Sequence, residues 1–152
     1  MQFYERAFFV GVTTQSVFDT FRQFTEILEE TAGLSSPDFR RDNASTIYQG
    51  IIGRHRAEQI LDVKRKLGPK QTAILVNPIP YTAIRAVDEG QVLHTCLWSI
   101  LSQSLSNLDV GQIVQEYYGK RVSAVVIEHL KINKTIPEIQ HLHVFVDVDT
   151  CR

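Results

Sequence analysis

Neither sign of charge dominates this sequence: 16 Lys and Arg stand against 17 Asp and Glu, for a formal net charge of −1. A dedicated nucleic-acid binder normally carries a strong basic excess, so that partner is disfavoured except through a local basic patch. Long hydrophobic runs are also missing. None approaches the ~18 apolar residues that a membrane-spanning helix requires, so no membrane partner is expected. The opening residues Met1–Ala7 lack a basic stretch followed by an apolar one, which argues against a secretory signal. Glycine-rich phosphate loops are absent in both common forms, G-x-x-x-x-G-K-[ST] and G-x-G-x-x-G. Cysteine is scarce. Cys96 and Cys151 have no metal-ligand spacing between them, which favours free thiols in a reducing cytoplasm over a disulfide framework. Sequence alone leaves a Cys96–Cys151 bridge open.

What is present describes an ordinary globular chain. Hydrophobic residues make up 43% and charged residues 22% of 152 positions, enough for one domain spanning 1–152 with a real core. Ala7–Thr13 is aromatic and β-branched and reads as a buried strand. Thr14 and Ser16 offer helix caps, and Val17, Phe21, Phe24 and Leu28 follow at helical spacing up to Gly33. A helix over 16–32 is therefore predicted, with those four side chains on the sheet. Leu34–Asn43 has loop composition. A second helical region runs from about Ser45 to Leu67, interrupted near Gly50 and Gly53 and ended by Gly68-Pro69.

Thr72–Val76 is a continuous apolar run, the pattern of a strand covered on both faces. Asn77-Pro78-Ile79-Pro80 must leave the sheet. The apolar-periodic stretch Val92–Leu108 reads as helix, and Asp109 caps another that ends at Gly119. Val122–Ile132 and Gln140–Asp149 close the chain as a hairpin. The expected class is α/β or α+β, with a mixed sheet of about four strands in the order β-α-α-β-α-α-β-β and a C-terminal antiparallel hairpin. Its early β-α-α-β part suits a right-handed crossover.

The most chemical-looking segment is Gln140–Asp149. Strand alternation puts His141, His143, Phe145 and Asp147 on one face. Two imidazoles at i and i+2, about 7 Å apart along a strand, can share a divalent metal with a third ligand. His141, His143 and Asp147 are thus the candidate metal set, with Glu128 or His129 on the partner strand as further donors. The segment His-Leu-His-Val-Phe-Val resembles the His-hydrophobe-His strand of rolling-circle replication and transposase nucleases. That resemblance implies a nucleophilic tyrosine with a lysine close behind, a spacing met by Tyr117 and Lys120, although here the tyrosine precedes the histidines.

A second candidate is Asn77, at the carboxyl end of a strand where α/β sheets bind ligands. Ala57–Pro80 resembles a strand-and-loop segment of pseudouridine-5′-phosphate glycosidases, through its apolar helix, Leu-Gly, apolar strand and Asn-Pro-Ile-Pro. The resemblance implies a phosphorylated nucleoside or sugar as substrate but brings no catalytic lysine or carboxylate motif. A third is the basic cluster that includes Arg54, Arg56 and Lys64, which suits a small anionic ligand. His94 and Cys96, at i and i+2 on the expected helix, would point to different faces and could not act together.

With no catalytic signature, and eight phenylalanines in a chain of this size, the expected function is a soluble homo-oligomeric binding or assembly module. The alternatives are a metal-dependent enzyme or nuclease using the C-terminal His-x-His strand, or an enzyme acting on a phosphorylated nucleoside or sugar.

Overall fold

The computed structural model describes residues 4–30, 61, 63–67, 71–77, 80–130 and 139–152. A five-stranded sheet runs β1 (Tyr4–Val10), β4 (Ala124–His129), β5 (Gln140–Asp147), β3 (Val92–Ser99) and β2 (Thr72–Val76), and each neighbouring pair is antiparallel. Helices α1 (Gln15–Glu30), α2 (Arg85–Asp88) and α3 (Asn107–Tyr118) complete the labelled elements, with a 3-10 turn at Val148–Thr150. Residues 61 and 63–67 are also helical.

The α+β class is as expected, and so is the C-terminal antiparallel pair β4–β5. Strand number and order differ. Val92–Ser99 is a strand rather than a helix, which raises the count from four to five. Every neighbouring pair in the sheet is antiparallel, so it is not the expected mixed sheet, and β1 and β2 lie at its opposite edges, running in the same direction with three strands between them. The strands covered on both faces are β4, all six residues of which are buried, and β5, buried at every position but Gln140. By contrast β2 is an edge strand in which only Ile74 is buried, and Val76 is largely exposed. The terminal strand β5 is flanked on both sides, so it leaves no open edge to be shielded by a partner.

Side chains alternate between two cores. On one face Val110, Val114 and Tyr118 of α3 pack on Val10, Ile74, Leu97, Val126, Leu142, Val144 and Val146. Ser106 caps α3 by accepting from the Asp109 amide, so the cap is Ser106 and not Asp109, while Gly119 ends the helix as expected. On the other face Val17, Phe24 and Leu28 of α1 pack with Tyr81, Ile84, Val92, Val125, Ile127 and Phe145. Phe21 is only partly buried at the rim of that cluster. Val63 and Leu67 extend the same layer over Ala73 and Trp98. The early helix agrees with expectation from Gln15 to Glu30, and its last two expected residues lie outside the described ones. Most of the expected second helical region, with Ala57 and Ile60, also lies outside them. Helices on both faces make three layers, and the α1 face holds the chemistry.

Candidate metal centre

Strand geometry places His94, Cys96 and Trp98 of β3 on the α1 face, because residues two apart on a strand point the same way. On β5 the same rule groups His141, His143 and Phe145. Register then decides which of them meet. Cys96 pairs with His143, Trp98 with His141, and His94 with Phe145. His129 of β4 joins this face, with its ring centroid 4.6 Å from that of His143. Four of the five histidines of the chain therefore gather on one face of the sheet.

His94 Nε2 lies 2.7 Å from His143 Nδ1, and Cys96 Sγ lies 3.7 Å from the same nitrogen. One ligand atom from each of these three residues falls within 4.8 Å of the others. Among the described residues this is the one set of three donors with that spacing. All three side chains are buried, with 1%, 4% and 5% exposure. Around them is an aromatic shell. Phe145 stacks on His94 at 4.5 Å, and Tyr81 covers both imidazoles at 4.6 Å and 5.2 Å.

Hydrogen bonds fix the protons. The Tyr81 backbone amide donates to His94 Nδ1 at 3.2 Å, so the proton of a neutral His94 sits on Nε2. Nε2 then donates to His143 Nδ1, which accepts. The Asn77 side-chain amide donates to the Cys96 sulfur at 3.6 Å. Because His143 Nδ1 already accepts from His94, it is poorly placed to take the Cys96 proton.

The sequence-predicted residues divide. His143 is at the centre of the cluster. His141 is not a member: its ring stacks on Trp98 at 4.5 Å and its Nδ1 donates to the Ile139 carbonyl. Both histidines are buried, not displayed on an exposed strand face. Asp147 lies two pleats beyond His143, about 13 Å along the strand. There it accepts from the Thr14 hydroxyl at 2.6 Å and the Asp149 amide at 3.0 Å. That carboxylate fastens the start of α1 to the end of β5 and caps the terminal turn. Glu128 points to the opposite face and pairs with Arg6 at 2.9 Å. Asn77 does reach the cluster, through Cys96. Lys64 is exposed on its helical stretch, and Arg54 and Arg56 lie outside the described residues. Tyr117 is exposed on α3, a helix packed against the other face of the sheet. Both cysteines are free thiols.

No family model matches the chain, and no curated protein or solved structure matches it either.

Proposed function

We propose that this chain is a metal-binding protein whose His94–Cys96–His143 centre holds a zinc-class divalent cation. The observation that carries the proposal is the convergence of one thiol and two imidazoles on a single buried point. Two imidazoles and a thiolate form a borderline-soft donor set, which suits zinc or a neighbouring transition metal and not magnesium or calcium. Tetrahedral zinc needs about 3.3–3.6 Å between such ligand atoms. The Cys96–His143 separation of 3.7 Å is close to that, and the His94–His143 contact of 2.7 Å must open modestly.

Polar side chains are costly in a core unless they bond to one another or to an ion. Positions 94, 96 and 143 are flanked by Val92, Phe145 and Ile127, where plain hydrophobes serve the same core. The Asn77 amide is the kind of outer hydrogen bond that supports a metal-bound thiolate. Three protein donors leave one position of a tetrahedral ion for water or a small anion. Near-complete burial under Tyr81 favours retention and sensing of the metal over rapid turnover of a substrate.

Calorimetric titration with zinc tests the proposal. About one ion per chain is expected, with binding lost in His143→Ala. Equal, weak heats from the wild type and His143→Ala would overturn it.

A further inference from the structure

The hydrogen bond from the Tyr81 amide bears on how the centre can take a metal. A neutral histidine that coordinates through Nε2 carries its proton on Nδ1 and donates it to an acceptor. In this chain His94 Nδ1 faces a donor, the Tyr81 N–H at 3.2 Å. Its Nε2, the atom nearest His143 Nδ1 and hence the one within reach of the shared point, is the protonated atom. The imidazole is thus held in the tautomer that cannot bind a cation there. Keeping the amide bond while coordinating would require an imidazolate, and two donors facing one another would repel.

We infer that Tyr81 is the residue that gates the centre: its backbone amide stabilises the metal-free tautomer of His94, and metal capture releases it. The inference rests on the metal reading above and deepens it into a mechanism of regulation. The proton balance is simple. His94 loses the Nε2 proton and gains one on Nδ1, while the Cys96 thiol proton passes to solvent.

Tyr81 is well placed to report the change. Its ring is almost wholly buried among His94, His143, Phe145 and Phe24, and its hydroxyl lies 2.9 Å from His129 Nε2. Its carbonyl accepts from the Ile84 amide, and the Ile84 carbonyl accepts from Val87 and Asp88. The Arg85 amide in turn donates to Gln23 of α1. Hydrogen bonds thus link Tyr81 to α2 and, through Arg85, to α1, beside a groove of about 480 Å³ lined by both helices.

The test is nuclear magnetic resonance on the ¹⁵N-labelled full chain, with zinc chloride as the probe. Long-range ¹H–¹⁵N spectra read the histidine tautomers, and amide exchange reads Tyr81. Without metal, His94 should be the Nε2–H tautomer with a protected Tyr81 amide. On saturation, Nδ1 should carry the proton and the Tyr81 amide should exchange about tenfold faster or more. Tyr81→Phe keeps the amide and should show the same switch, separating it from the hydroxyl contact to His129. Zinc bound through His143 with Tyr81 protection unchanged would overturn the gate and leave the metal site standing. An Nδ1–H tautomer of His94 without metal would overturn the gate at its first step. Failure of zinc to bind would overturn both.

Discussion

Cys96 stands directly opposite His143 across the β3–β5 ladder, and 3.7 Å separates its sulfur from the imidazole Nδ1. The two residues are 47 positions apart in sequence, so only the pairing register brings them together. A shift of one residue in that register would turn one side chain to the α3 face and dismantle the centre. The site is consequently as specific as the sheet itself.

Loss of single side chains should separate the donor set from its neighbours. Cys96→Ser and His143→Ala should each weaken zinc binding by about 100-fold or more, since each deletes a ligand. His141→Ala should leave zinc affinity within about threefold, because that ring is committed to Trp98 and the Ile139 carbonyl. Competition titration against a chelator of known strength checks all three. An effect of His141→Ala as large as that of His143→Ala would restore the His141–His143–Asp147 set expected from sequence.

The core beneath the centre yields a stability prediction. Phe24 is fully buried and touches the rings of Tyr81, His129 and Phe145. Phe24→Ala should cost about 3–5 kcal/mol through lost burial and a residual cavity. Phe21 sits at the rim with Tyr4 and Phe9, so Phe21→Ala should cost clearly less. Urea unfolding of the two variants gives the order, and a reversed order would misplace the face of α1.

Much of this architecture was legible, and the centre was not, for reasons found in particular residues. Val17, Phe24 and Leu28 announced α1 because their spacing is local. Alternation in Gln140–Asp147 correctly grouped His141 with His143. The error lay at Val92–Ser99, where an apolar run read as helix put His94 and Cys96 on different faces. As a strand they share one. The cluster Ser102-Gln103-Ser104 was the available signal, since it interrupts the run where a continuous helix would need apolar residues. Nothing local could have shown that β5 is central, that Asp147 bonds Thr14, or that the Tyr81 amide reaches His94. These are products of long-range pairing.

A backbone constraint holds the corner between β1 and α1. Gly11 adopts φ +74°, and a Cβ there would overlap the Val122 carbonyl oxygen. Both the left-handed conformation and the close approach demand glycine. Gly11→Ala should destabilise by about 2 kcal/mol or more, read as a lower urea midpoint. An unchanged midpoint would mean that this corner adjusts freely.

On the α3 face, burial pushes the Tyr118 phenol up to about 12 from its ordinary 10.0, against the opposing effect of its hydrogen bond to Thr95. A raised folded-state value means the folded chain holds this proton more tightly than the unfolded chain. Its contribution is complete below about pH 10 and is lost as pH rises through about 12. Urea midpoints of the wild type should therefore fall more steeply than those of Tyr118→Phe across that alkaline range. Parallel curves would contradict the burial of the hydroxyl as the cause.

Cobalt substitution tests the metal centre most directly, because a thiolate bound to Co²⁺ has an absorption that imidazole alone does not produce. Titration of the full chain with cobalt should develop a sulfur-to-metal charge-transfer band and intense visible bands of tetrahedral type, saturating at about one ion per chain. The charge-transfer band should vanish in Cys96→Ser, and zinc should displace the cobalt. A weak, octahedral cobalt spectrum that is the same in wild type and Cys96→Ser would contradict a His94–Cys96–His143 centre.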